Sequence, residues 1–242
     1  MNSDAPFDYL AIGHLSRDVV PADIAPTGYA VGGTVAFSGR VAHALGCRTA
    51  VLTSAGPDFD VAAALPDCTV VVIPAAASTS FENIYGPDGR RQIVHSVAGP
   101  LTTADLPAGW CDIPIVHLGP ITPLLDPQLI NAFPNSLIGL TPQGWMRTWG
   151  ADGRVQPIAL PHAALLLPNA AAVIIGEEDL HDAAELDRLR SPSRLLVMTR
   201  RARRCFERRD WRRNQENARE RLDLDGEMGN PTLNDVHRLL EH

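Results

Sequence analysis

Lysine is missing from this chain. All 21 of its cationic residues are arginine. Long apolar runs are missing too. No stretch approaches the roughly 18 residues that a membrane-crossing helix needs. The N-terminus, MNSDAPFDYL, has no basic region followed by an apolar one, so it does not read as a secretory signal. Cysteine is sparse: Cys47, Cys68, Cys111 and Cys205 are scattered with no C-x-x-C spacing. That argues against a zinc site and a disulfide framework, and fits a reducing cytoplasm. There is no internal repeat. Neither G-x-G-x-x-G nor G-x-x-x-x-G-K-[ST] occurs, so the dinucleotide and Walker readings do not apply.

What is present suits a folded domain. The chain has 242 residues, 45% of them hydrophobic, and a chain of this size buries about 70–75% of its unfolded surface. The net charge of −7 is uneven, because ten of the arginines fall within residues 200–221 against four acids. An acidic body therefore carries one basic stretch. That stretch could meet phosphate backbones electrostatically. Its only aromatics are Phe206 and Trp211, acids interrupt it, and no DNA-binding motif surrounds it. A solvated segment fits it better than a nucleic-acid surface.

Seven short runs rich in Val, Ile and Leu read as strands buried on both faces. They are YLAIG (9–13), TAVLT (49–53), TVVVIP (69–74), IPIVHLG (113–119), SLIGLT (136–141), AAVIIG (171–176) and RLLVMT (194–199). Helices are expected over 34–45, with Phe37, Val41 and Leu45 on one face, and over 177–190, acidic at its start and basic at its end. Alternating strands and helices imply a parallel sheet with right-handed crossovers. Residues 79–97 break that rhythm. Two strand-like halves flank Gly86-Pro87-Asp88-Gly89, the composition of a hairpin turn. Such a hairpin covers a site or simply lies on the surface. In the tail, Leu233, Val236, Leu239 and Leu240 form an apolar stripe behind a cap at Thr232.

Two places can carry chemistry. Asp18 follows the first strand, and the carboxyl ends of parallel strands face the ligand crevice of such sheets. A carboxylate there accepts hydrogen bonds from ligand hydroxyls, although a turn-forming Asp has the same pattern. Gly32 and Gly33 stand directly before a helix, where paired glycines admit a ligand close to backbone and the helix start offers free N–H groups. A tight turn would use the same pair.

Taken in order, these elements resemble the PfkB or ribokinase family of carbohydrate kinases over about residues 7–200. The resemblance implies a ribokinase-like α/β layer fold with a small β lid, and a C-terminal part that is incomplete. It implies transfer of the ATP γ-phosphate, with magnesium, to a hydroxyl of a sugar, polyol or nucleoside. Asp18 then corresponds to the acceptor of substrate hydroxyls, and Gly32 and Gly33 to the glycines lining the sugar site. Phe37 stands where the family has Asn. Asn83 lies in the 79–97 lid, and Gln143, in TPQGWMRTW, follows a strand end from which it could reach the cleft. The family's N-x-x-E magnesium motif aligns with Gly176-Glu177-Glu178-Asp179, leaving Glu178 and Asp179 as the acids there. Thr199 aligns with the start of the T-x-G-x-x-G turn that leads to the nucleotide. An exposed lid edge implies, by the same analogy, pairing of two copies.

Two family features are not found. Both glycines of the T-x-G-x-x-G turn are arginine, Arg201 and Arg204. The G-A-G-D motif, whose helix start forms the anion hole and whose Asp is the base, does not occur after residue 199. The expectation is therefore a domain over 1–199, an irregular Arg-rich segment over 200–227 consistent with out-of-frame reading, and a C-terminal helix over 228–242. The implied kinase activity is weak or lost. A non-catalytic sugar- or polyol-binding protein is the alternative.

Overall fold

A computed structural model describes residues 5–21, 23–86, 89–200 and 204–209. The chain opens with β1 (Tyr9–Ile12), β2 (Ser16–Val19), β3 (Tyr29–Gly32) and helix α1 (Thr34–Ala44). There follow β4 (Thr49–Ala55), α2 (Val61–Ala64), β5 (Thr69–Pro74), β6 (Thr79–Gly86) and β7 (Gly89–Ser96). Next come β8 (Ile115–Leu118), β9 (Leu137–Leu140), β10 (Arg147–Trp149) and β11 (Val155–Pro157). The described part ends with α3 (Ala163–Asn169), β12 (Ala172–Gly176), α4 (Glu185–Arg190), β13 (Leu195–Arg200) and β14 (Arg204–Arg209).

The main sheet has the order β14-β13-β12-β9-β8-β1-β4-β5. All seven of the strands foreseen in the sequence lie in it and run parallel, and β14 joins antiparallel to β13. The reason is visible in β1. Leu10 and Ile12 enter one core with Val116, Leu118, Leu140 and Phe133, while Ala11 enters another with Val35, Ala36, Val51 and Leu65. Successive side chains of a strand point to opposite faces, so a run apolar at every position must be covered on both. β5 departs from this expectation: it ends the sheet, and its residues are only half-buried or exposed.

Helix α1 forms where it was foreseen, but the other way round. Its buried residues are Val35, Ala36, Gly39 and Ala42, while Phe37 and Val41 are 59% and 55% exposed and Leu45 is exposed as well. The small residues win the core because they let the helix lie close to the sheet. A Cβ on Gly39 would already touch Leu65 and Val51 at 3.4 Å. The helix foreseen over 177–190 is shorter too. Glu177–Asp179 is a single 3-10 turn, and α4 begins only at Glu185.

A second sheet lies over the carboxyl end of the first, in the order β3-β2-β6-β7. The 79–97 hairpin is half of it, and its turn residues 87 and 88 lie outside the described residues. β2 pairs antiparallel with β3 and parallel with β6. A ribbon of β10 and β11 braces this lid: the Val94 N–H donates to the Gly153 carbonyl at 2.8 Å, and Phe81, Val94 and Ile121 form a small core with Trp149 and Val155. Of the segment foreseen as irregular over 200–227, residues 204–209 are the strand β14. Residue 200 ends β13; residues 201–203 and 210–227, and the helix foreseen over 228–242, lie outside the described residues.

Candidate functional site

The site grows from the junction between β1 and the lid. Gly33 caps α1 at φ 98°, a backbone state that glycine adopts without strain. A Cβ there would stand 2.5 Å from the His14 carbonyl oxygen. At Gly32 a Cβ would lie 2.6 Å from Ser16 Oγ and 2.7 Å from Asp18 Oδ2. The paired glycines thus do two jobs. One turns the chain into the helix, and the other leaves the space that the Asp18 carboxylate occupies.

Asp18 is on β2, in register with Ala30 of β3 and Phe81 of β6. It is therefore part of the lid sheet, not of the loop after β1. Ser16 Oγ donates to its Oδ1 at 2.9 Å. Burial pushes the Asp18 carboxyl above the usual aspartate range, against the Ser16 hydrogen bond and the positive charges of Arg90 and Arg147. Beside it, His14 is fully buried and its Nε2–H donates to the Gly99 carbonyl at 2.8 Å. Burial holds that imidazole below the ordinary histidine value, in its neutral form.

Near Asp18 lies a charged cluster assembled from four elements. Arg147, on β10, is buried and pairs with Asp179 Oδ1 at 3.1 Å. Gln143, from the 3-10 turn Pro142–Gly144, donates its Nε2 to Asp179 Oδ1 at 2.9 Å and Oδ2 at 3.1 Å. The Gly176 N–H donates to Asp179 Oδ2 at 3.3 Å. Arg90, on β7 of the lid, pairs with Glu178 at 3.2 Å. Burial lowers the Arg147 pKa and Asp179 opposes that shift; a guanidinium starts so high that it stays a cation.

The structure thus gathers Asp18, Gly32 and Gly33 at one point, and joins Gln143 to Asp179. Asn83 stays within the lid sheet, where its Oδ1 accepts from Gln92 Nε2 at 2.9 Å. Phe37 belongs to the exposed face of α1. Thr199, near the end of β13, turns its hydroxyl to the Ile175 carbonyl at 3.3 Å. Arg90, Arg147 and Ser16 were not foreseen. Both arginines lie in stretches the sequence had marked, the hairpin and TPQGWMRTW, but their partners are far away along the chain.

The arrangement offers a solute a half-buried carboxylate, fixed in direction by a serine hydroxyl and roofed by strands. That suits the reception of hydroxyl groups, since a carboxylate accepts several charge-assisted hydrogen bonds at once.

Neither a family model nor a protein of assigned function matches the chain in sequence. Solved structures do match it in shape. A pyrophosphate-dependent kinase in the ribokinase family, in its sulfate complex, has 20% identity and a TM-score of 0.68 over 82% of this chain and 75% of that one. A pyrophosphate-dependent kinase of the same family, complexed with a pyrophosphate analog and myo-inositol, has 21% identity and a TM-score of 0.67 over 83% and 78%. Arabidopsis thaliana ribokinase, complexed with ribose and ATP, has 13% identity and a TM-score of 0.53 over 83% and 74%. The seven-stranded parallel sheet, its added antiparallel edge and the β lid over its carboxyl end are those of the ribokinase-like α/β fold.

Proposed function

We propose that this chain binds a sugar or polyol through Asp18, in the cleft between the Gly32-Gly33 turn and the lid, and that it derives from a carbohydrate kinase whose phosphoryl transfer is weak or lost. The observation that carries the reading is the Asp18 carboxylate itself: space is kept for it by Gly32, and Ser16 aims it. A turn-forming aspartate would bond its own backbone instead. Kinases of this fold in complex with myo-inositol, or with ribose, set the class of compound to try. Their phosphoryl donors, ATP and a pyrophosphate compound, set the donors to try.

The reading of weak transfer rests on the sequence. Phosphoryl transfer needs donors to hold the phosphates and a base to take the acceptor's proton. The G-A-G-D motif that would supply both does not occur in the chain. Removing a single such donor costs about 3–4 kcal/mol of transition-state stabilisation.

Calorimetry of the full chain against myo-inositol, D-ribose and nucleosides tests the binding. At least one compound is expected to give heat, and Asp18→Ala is expected to weaken it about tenfold or more, the cost of one charged hydrogen bond. No heat and no thermal shift across the panel would sink the reading. Consumption of ATP or pyrophosphate in the same mixtures is expected to stay near background.

A further inference from the structure

The resemblance to PfkB kinases assigns Glu178 and Asp179 to the organisation of magnesium, and the residues present do not fit that task. A hydrated magnesium ion needs carboxylate lone pairs free to bind its waters. Both Asp179 oxygens are already engaged: Oδ1 by Gln143 and Arg147, Oδ2 by Gln143 and the Gly176 N–H. The residue is 6% exposed. Glu178 holds Arg90 of the lid. Among the described residues no three His, Cys, Asp or Glu side chains gather as a metal ligand set.

We propose that Asp179 is a positioning residue, which fixes the Arg147 guanidinium as a built-in positive charge near Asp18, instead of organising magnesium. A buried guanidinium without a carboxylate would be strongly unfavourable, and the Asp179 carboxylate that accepts from its Nη2 holds it in place. Gln143 and the Gly176 N–H lock the carboxylate in turn. The charge that results acts on Asp18 and also on Arg90, so the acceptor carboxylate, the lid and the end of β12 share one electrostatic cluster. This deepens the polyol-binding reading of the same site and rests on it for one arm of the test only.

The first arm needs no polyol. The melting temperature of the wild-type chain is measured in magnesium chloride and in sodium chloride of equal ionic strength. The two are expected to agree, whereas an ion that binds the folded state raises the melting point with concentration. A magnesium-specific rise overturns the proposal.

The second arm follows the Asp18 carboxyl by carbon NMR as pH is varied. The groups acting on it are Ser16, Arg90 and Arg147. Arg147→Met is expected to move its titration to higher pH, because a stabilising cation is gone. If Asp179 positions Arg147, Asp179→Ala moves it the same way. If Asp179 acts only as a negative charge, its removal moves Asp18 to lower pH, and that result overturns the proposal. Should Asp179→Ala fail to fold, the magnesium arm decides alone.

The third arm measures myo-inositol binding. Each variant is expected to weaken it about tenfold, and the double variant no further, since the two residues act as one unit. Fully additive losses count against the unit. If wild-type chain binds no polyol, the proposed function falls while the first two arms still decide the role of Asp179.

Discussion

Among the described residues the two faces of the main sheet are unequally clothed. On one face Leu10, Ile12, Val116, Leu118, Leu140 and Val173 are fully buried, under Phe133, Trp145 and the helix α3 residues Leu166 and Leu167. The other face is covered by α1 and α2 across β1 and β4, where Ala11 and Val51 are fully buried. Farther along that same face, Ile115 of β8 is 37% exposed and Leu137 of β9 is 61% exposed. Both stand on the side opposite Val116 and Ile138, which enter the first core. Among the described residues no helix overlies this part. Apolar content alone therefore does not say how firmly a strand is held; the layer above it does.

Substitutions can break or sharpen that contrast. The largest effect is expected on the clothed face. Leu118→Ala deletes methyl groups from a packed interior and should cost about 3 kcal/mol or more, measured by urea unfolding. A loss below about 1 kcal/mol would mean that this face is far looser than its burial implies.

The next effect lies at the seam between the two regions. His117 of β8 shares hydrogen bonds with the Tyr9 hydroxyl at Nδ1, at 2.9 Å, and with Thr141 Oγ1 at Nε2, at 2.8 Å. Burial lowers its pKa to about 4, so the ring is neutral at neutral pH. Burial also pushes the Tyr9 hydroxyl up to about 12, so it remains a donor at neutral pH. A base with a depressed folded pKa takes up its proton more readily when unfolded. Stability is therefore full above the ordinary histidine value near 6.5 and falls as the pH drops toward 4. The loss is at most about 3 kcal/mol, the free-energy equivalent of the drop from 6.5 to about 4. His14 pulls in the same direction. The acid limb of the urea midpoint should flatten in His117→Gln. An unchanged limb would show that the seam is open to water.

The smallest effect is expected on the bare part. Leu137→Ser should change the urea midpoint by no more than about 0.5 kcal/mol, as exposed sites do. A cost comparable to Leu118→Ala would mean that the position is covered in solution.

The same contrast explains what could be read from the sequence. All seven parallel strands were legible, because AAVIIG is apolar throughout and runs such as TAVLT are apolar at consecutive inner positions. β2 and β3 were not, since each has four residues and SRDV carries two charges. Its strand character comes from pairing with β3 and β6, not from any local pattern. In α1 the large apolar residues marked the wrong face, because close packing selected Ala36, Gly39 and Ala42. The acids 177–179 looked like the start of a long helix. Asp179 is instead engaged by Arg147, 32 residues earlier, and by Gln143, 36 residues earlier. The sequence singled out Asp18 and the paired glycines, and the fold brings them together; it did not single out Arg90 and Arg147, whose partners depend on tertiary approach.

Asp18 rides on a strand of the cover, so the proposed binding group and the cover are one piece of structure. On the proposed reading, a compound held by Asp18 is held by the lid sheet itself, which joins the main sheet through the short connection from Gly13 to Leu15. Capture and enclosure would then be a single mechanical event in this molecule.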